Sequence, residues 1–196
     1  MTRPLMILAS TSRYRRELLG RLRLPFEVVA PNVDETPQPG EACAPLVQRL
    51  ARAKALAVAA LHPDAVVIGS DQVCDLDGHA VGKPGDHANA ARQLRRLSGH
   101  AAVFYTAVTV VRLSTGFEQL ALSSVRVQFR DLTDSEIEQY LCLDQPYDCA
   151  GSAKCETLGI ALLESIDSDD PTALIGLPLI RTARLLRQAG IDPLEP

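Results

Sequence analysis

The chain contains 196 residues, 46% of them hydrophobic and 22% charged, and this composition suits one compact globular domain. The formal net charge of −4 disfavours a nucleic acid polymer as the main partner, although a local basic cluster can still bind a small phosphate. No run of about 18 apolar residues occurs, so the sequence predicts no membrane span. Five cysteines without zinc-binding spacing predict reduced thiols in a cytoplasmic protein.

Hydrophobic periodicity in the first half of the chain predicts strands that alternate with helices. We expect a strand over residues 5–9, a helix that begins near Ser12 and ends before Pro25, and a second strand over 26–30. A long helix follows over residues 44–61. The β-branched run "AVVIGSD" then predicts a strand buried on both faces, with Asp71 at its end.

The second half predicts hairpins together with two further helices. Asp77-Gly78 is a hairpin turn signal, and Asp86 caps a helix to residue 97. Long strands are expected over 103–113 and 120–130, and Thr133 with Glu136 forms a capping box for a helix to about 143. A strand over 160–166 and a helix over 179–188 complete the prediction, which is an α/β fold with a mixed β-sheet flanked by helices.

The segment "ASTSRYRREL" has the composition of an anion-binding site. A strand, a turn of small residues and a helix start expose backbone N–H groups, with hydroxyl and guanidinium groups around them. Ser10, Ser12, Arg15 and Arg16 can therefore reach one phosphate chain. Arginines are unfavourable at a helix N-terminus, because that end already carries partial positive charge. Their presence there favours a bound anion over the alternative of a solvated surface helix.

Two carboxylates follow predicted strands and are candidate metal ligands. Asp71 follows the small residues Gly69 and Ser70, which would let a substrate approach closely, and Glu35 lies in the loop "VDET". Mg²⁺ in proteins typically takes one or two carboxylates together with waters and substrate phosphates. The alternative readings are an ordinary turn for Asp71 and a polar loop for Glu35.

Lysines in two other segments are candidate phosphate ligands. Lys83 precedes Pro84 in a constrained loop, and with Lys54 it could neutralise a phosphate chain, although each lysine alone is more often a surface residue. The loop "CAGSAKCETLG" carries Lys154 and Glu156, and the Glu156 carboxylate could accept hydrogen bonds from a base edge. A surface turn is the alternative for this loop.

Taken together, these segments resemble the Maf family of nucleoside triphosphate pyrophosphatases. The matching pieces are "ILASTSRYRRELL", "VDET", "RLARAKA", "IGSDQVC", "GKP", "SGHAAVFYT" and "IGLPL". They occur in the family's order over nearly the whole chain. Within the family, "GSDQVC" and "CAGSAKCETLGI" resemble the branch associated with 7-methyl-GTP.

The resemblance implies a single domain over residues 1–196, with two lobes around a cleft and a fold similar to that of the inosine triphosphate pyrophosphatases. It implies a divalent metal, Mg²⁺ or Mn²⁺, and hydrolysis between the α- and β-phosphates of a nucleoside triphosphate. A homodimer is also expected. Asp71 takes the position of the proton acceptor, and Tyr14, Gln72 and Glu156 take positions where substrate preference is set.

Two departures from the family pattern concern the first helix. Arg13 stands where the family usually has Pro, and Tyr14 stands where the 7-methyl-GTP branch is expected to have Trp. Tyr14 keeps an aromatic face for the positively charged 7-methylguanine, and Glu156 offers a carboxylate to its N–H donors. An aspartate in water is a weak base at neutral pH, so we expect Asp71 mainly to bind the metal or to orient its water.

Two alternatives to a 7-methyl-GTP pyrophosphatase remain open at this point. The first is the same reaction on ordinary pyrimidine triphosphates such as dTTP and UTP. The second is a non-catalytic nucleotide-binding regulator of cell division.

Overall fold

The computed structural model describes residues 3–195, which form seven β-strands and five α-helices. The strands are β1 (Met6–Ala9), β2 (Glu27–Val29), β3 (Val66–Leu76), β4 (His79–Val81), β5 (Ala101–Arg112), β6 (Phe117–Phe129) and β7 (Leu163–Asp167). The helices are α1 (Arg13–Gly20), α2 (Cys43–Ala59), α3 (His87–Leu97), α4 (Asp134–Asp144) and α5 (Leu179–Gln188).

All the strands belong to one mixed sheet, as predicted. The order is β2-β1-β3-β5-β6-β7, and β4 pairs with β3. β1 lies parallel to both β2 and β3, whereas β4 and β7 run antiparallel to β3 and β6. The prediction of an α/β fold with a mixed sheet and flanking helices is confirmed.

The chain divides into two compact units. The first contains the chain up to Asp71, Thr106–Ser123 and the chain from Asp170 onward, and the second contains Gln72–Tyr105 and Ser124–Asp169. Two units agree with the expected two lobes, while a single domain over residues 1–196 and a cleft stay predictions.

In the first unit the sheet is covered on both faces, because alternate residues of each buried strand point to opposite sides. Ile7 and Val67 pack against Ala55 and Val58 of α2. The opposite face packs against α1 and α5 in a larger cluster, which includes Met6, Leu8, Leu18, Leu19, Ile68, Leu185 and Leu186.

Gly69 allows α2 to lie unusually close to β3. A Cβ atom at this position would lie 2.3 Å from the carbonyl oxygen of Ala51 and 2.6 Å from the amide nitrogen of Ala55. The expectation that Gly69 admits a substrate is wrong, because this space is filled by helix backbone. Gly69 and Asp71 share a face of the strand, so the close approach also brings α2 side chains near Asp71.

In the second unit, local sequence signals place the elements as predicted. Asp77 and Gly78 both have positive φ and connect β3 to β4. Asp86 caps α3 by accepting a hydrogen bond from the amide of Asn89 at 2.7 Å. The capping box at the start of α4 is complete, with hydrogen bonds in both directions between Thr133 and Glu136.

The predicted strand over residues 160–166 is only partly present. A 3₁₀ turn occupies Leu158–Leu162, and β7 begins at Leu163. Gly159 packs against the backbone of Lys154, where a Cβ atom would lie 2.5 Å from the carbonyl oxygen. Residues 160–162 therefore belong to a tight turn and not to the strand.

Candidate active site

The start of α1 carries the predicted serine cradle. Ser12 is the N-cap and accepts a hydrogen bond from the amide of Arg15, while Ser10 accepts one from the amide of Ser12 at 3.1 Å. These bonds order the turn and use two of the amides that were expected to face an anion. Each serine keeps a hydroxyl hydrogen to donate, so both remain candidates for binding a phosphate oxygen.

Arg15 and Arg16 differ in their surroundings. The Nε of Arg15 donates to the carbonyl oxygen of Gly176 at 2.9 Å, and the hydroxyl of Ser70 donates to the same oxygen at 3.1 Å. Arg15 is half-buried, whereas Arg16 is exposed. One edge of the Arg15 guanidinium is thus held by the protein, which fixes its orientation.

Lys54 of α2 connects two of the predicted metal ligands. Its ammonium lies 2.7 Å from an oxygen of Asp71 and 2.8 Å from an oxygen of Glu35. The Lys54 side chain is 5% exposed and that of Asp71 is 11% exposed, so this ion pair is almost removed from water. The structure therefore places Glu35, Lys54 and Asp71 together.

The sequence predicted Asp71 at the end of a strand. This prediction is wrong, because Asp71 lies in the middle of the eleven-residue strand β3. The sequence "GSDQ" reads as a turn because its side chains are small or polar. The strand continues through these residues because each fits its surroundings. Gly69 leaves room for the backbone of α2, Ser70 donates to Gly176, and Asp71 accepts from Lys54.

A divalent cation fits this cluster only with help from a substrate. Within residues 3–195, no group of three or more His, Cys, Asp or Glu side chains is placed to hold a metal ion. The oxygens of Glu35 and Asp71 nevertheless converge on one ammonium group, so they can supply two carboxylate ligands. Two carboxylates completed by phosphate oxygens and waters match the preference of Mg²⁺.

The charges of this cluster balance. Burial lowers the pKa of Arg15, while the charges of Asp71 and Glu35 act in the opposite direction, and the guanidinium stays protonated at neutral pH. The cations Arg15 and Lys54 therefore offset the anions Glu35 and Asp71. A triphosphate that enters brings negative charge that the cluster alone does not neutralise.

Tyr14 already has a cation against its ring. The guanidinium carbon of Arg13 lies 4.7 Å from the ring centroid, and an Arg13 nitrogen donates to the Tyr14 hydroxyl at 2.6 Å. Sequence reasoning assigned no role to Arg13. A basic residue next to an aromatic one was the available signal, although the sequence does not show which way either side chain turns.

In the second unit, the loop that carries Lys83 is constrained, as predicted. The carbonyl oxygens of Gly82 and Pro84 accept hydrogen bonds from the side chains of Gln93 and Asn89, at 3.1 and 3.0 Å. Lys83 itself is exposed between these fixed points. Gln72, also in this unit, is half-buried.

Glu156 is exposed and lies in a segment that Lys154 holds in place. The buried Lys154 ammonium donates to the carbonyl oxygen of Asp144 at 3.1 Å, at the end of α4, and the Lys154 amide donates to the Tyr140 hydroxyl at 3.1 Å. Thr157 adds a hydrogen bond to the Asp144 carboxylate at 2.7 Å. These anchors flank Glu156 on both sides.

Cys155 is a structural residue and not a reactive thiol. Burial, followed by the nearby Glu156 charge, raises the pKa of the Cys155 thiol to about 12. The thiol is therefore protonated at neutral pH and is a poor nucleophile or metal ligand. Cys142 and Cys155 are free thiols.

The first unit thus combines an ordered helix start, two oriented basic side chains and a convergent carboxylate pair, which is typical of a phosphate-binding enzyme of the α/β class. A family model described as "Maf-like protein" matches residues 5–189. The chain belongs to the Maf family.

Several curated relatives are similar over nearly their whole length. A protein of Polaromonas sp. named 7-methyl-GTP pyrophosphatase is 65% identical over 190 residues, which cover 97% of this chain and 86% of that protein. A protein of Albidiferax ferrireducens with the same name is 61% identical, covering 96% and 95% of the two chains. A solved structure of the Staphylococcus aureus Ham1 protein has a TM-score of 0.46 at 16% identity, covering 64% of this chain and 72% of that one.

Proposed function

We propose that this protein is a nucleoside triphosphate pyrophosphatase that hydrolyses 7-methyl-GTP to 7-methyl-GMP and pyrophosphate. The observation that carries the proposal is the buried Lys54–Asp71 ion pair, which the exposed Glu35 carboxylate joins, together with the ordered helix start at Ser12. Relatives that are 56–65% identical and bear the name 7-methyl-GTP pyrophosphatase support the substrate.

The phosphate chain is assigned to the basic residues and serines. Ser10 and Ser12 donate hydroxyl hydrogens, and the orientation of Arg15 is fixed by Gly176. Lys54, Lys83 and Arg16 are assigned to the phosphates as well. These groups stabilise charge that builds on the leaving pyrophosphate, which is where fixed cations contribute most to a rate.

Glu35 and Asp71 are assigned to a divalent cation, Mg²⁺ or Mn²⁺. When bound, such an ion polarises a phosphate oxygen and makes its bound water more acidic. The proposed role of Asp71 is to hold the ion and to orient the attacking water, since its carboxylate lies 2.7 Å from the Lys54 ammonium that also contacts Glu35. Lys54 must leave the two carboxylates for this, and the phosphates give its ammonium a new partner.

Tyr14, Gln72 and Glu156 are assigned to the base. An aromatic ring favours the cationic 7-methylguanine, and a carboxylate accepts hydrogen bonds from its N–H groups. The exposed Glu156 carboxylate sits between the fixed positions of Lys154 and Thr157, which supports a reading role.

The expectations for membrane spans, cellular location and oligomeric state have less support. No helix within residues 3–195 is long and apolar enough to cross a membrane. The free thiols of Cys142 and Cys155 support the proposed cytoplasmic location. A homodimer stays a prediction from the family resemblance.

The test is the identity of the released phosphate. With 7-methyl-GTP and Mg²⁺ in ¹⁸O-labelled water, we expect pyrophosphate as the product and the label in 7-methyl-GMP, because water attacks the α-phosphorus. A chelator should stop the reaction. Release of orthophosphate, or no metal-dependent release at all, would contradict the proposal; the latter would favour the non-catalytic regulator.

A further inference from the structure

Arg13 places a positive charge on the aromatic ring that is assigned to the base. It is the first residue of α1 and is exposed, and its guanidinium carbon lies 4.7 Å from the Tyr14 ring centroid. A hydrogen bond of 2.6 Å from Arg13 to the Tyr14 hydroxyl holds the two side chains together. The ring therefore already makes the type of contact that a cationic base would make.

We propose that Arg13 is a specificity-determining residue that weakens the preference for a cationic base over a neutral one. This inference rests on the proposed function, in which Tyr14 stacks on the base. The triphosphate is the same in 7-methyl-GTP and GTP, so the attraction of Arg13 for phosphates cancels when the two nucleotides are compared. What remains is the effect of the Arg13 charge on the base.

The sign of this effect is the same for either face of the ring. If the base stacks on the face that Arg13 covers, either base must displace the guanidinium and that cost cancels, but the displaced charge stays close and repels only the cationic base. If the base stacks on the opposite face, two positive charges share one ring and repel each other. A neutral guanine avoids the charge repulsion in both cases.

The experiment compares kcat/KM for 7-methyl-GTP and GTP in the unchanged protein and in Arg13→Gln. We expect the ratio of the two values to rise about two- to fivefold in Arg13→Gln, the range of an exposed cation–π contact. Arg21→Gln is the matched control, since Arg21 is an exposed arginine at the other end of the same helix. That control should leave the ratio unchanged.

A second background tests whether the effect acts through the ring. In Tyr14→Leu, adding Arg13→Gln should no longer change the ratio, because the ring that links the two charges is absent. An unchanged or lower ratio in Arg13→Gln overturns the inference, as does an equal rise in the Tyr14→Leu background. If the unchanged protein releases no pyrophosphate from either nucleotide, the proposed function fails first and the inference falls with it.

Discussion

Each unit of the molecule buries one lysine, and the two lysines have different partners. Lys54 in the first unit contacts two carboxylates, at 2.7 and 2.8 Å. Lys154 in the second unit contacts backbone carbonyl oxygens where α4 ends, the nearer at 3.1 Å, and lies 3.8 Å from an oxygen of the exposed Asp148 carboxylate. Their side chains are similarly buried, 5% and 7% exposed.

On the proposed function, the difference separates a functional cation from a structural one. The carboxylates around Lys54 can be taken by another cation and its ammonium by a phosphate, so its contacts are exchangeable. Lys154 donates to the carbonyl oxygen of Asp144, an acceptor that the helix end leaves open, and lies near that of Gln145, which also accepts from the Tyr147 amide at 2.9 Å. We therefore expect the same residue type to serve chemistry in one unit and position in the other.

The largest expected effect comes from Asp71→Asn in the first unit. We expect pyrophosphate release from 7-methyl-GTP to fall by at least about 100-fold, the typical loss for one electrostatic group in an active site. Nucleotide binding, measured by calorimetry, should persist because Arg15 and Lys54 remain. Asp64→Asn, an exposed aspartate just before β3, is the control; full turnover in Asp71→Asn would remove Asp71 from the mechanism.

Lys154→Met tests the structural lysine. It leaves the part-buried carbonyl oxygen of Asp144 at the end of α4 without its charged donor, so we expect the free energy of unfolding to fall by about 1–3 kcal/mol in a denaturant titration. Loosening the segment should also raise KM for 7-methyl-GTP more than it lowers kcat. If kcat alone collapsed while stability were unchanged, Lys154 would belong to the chemistry instead.

Glu156→Gln tests whether the segment that Lys154 anchors recognises the base. A neutral amide accepts hydrogen bonds less strongly than a carboxylate, so kcat/KM for 7-methyl-GTP should fall by about tenfold. The value for UTP should change little, and Glu164→Gln on β7 offers an exposed control. Equal losses on every nucleotide would rule out a base-reading role.

The smallest effect is expected from Lys54→Gln on metal binding alone. Without the ammonium between them, the negative charges of Glu35 and Asp71 are no longer offset by Lys54. Free Mn²⁺ should therefore bind severalfold more tightly when no nucleotide is present. Electron paramagnetic resonance of unbound Mn²⁺ measures this directly. Weaker Mn²⁺ binding in Lys54→Gln would show that Lys54 does not compete with the metal.

Elements with local signals could be predicted from the sequence. The Ser12 cap, the Asp77-Gly78 turn and the capping box at Thr133 each depend on residues within a few positions of one another. Residues 179–188 were predicted as the last helix, and Leu179–Gln188 is observed.

Features that depend on distant partners could not be predicted in the same way. β3 continues past Gly69 because α2 fills the space beside it, and Arg15 is oriented by Gly176, more than 150 residues away in the chain. The role of Lys154 required the end of α4 to be placed first. Most candidate residues were named from local patterns, and Tyr14 and Gln72 from the family resemblance, whereas the pairing of Lys54 with both carboxylates emerged only from the fold.

The central claim is the choice of substrate, and a nucleotide panel tests it most directly. Initial rates of pyrophosphate release should be measured for 7-methyl-GTP, GTP, UTP and dTTP with Mg²⁺ at equal concentrations. The account predicts the highest kcat/KM for 7-methyl-GTP. A higher value for UTP or dTTP would contradict it and would assign the site to ordinary pyrimidine triphosphates.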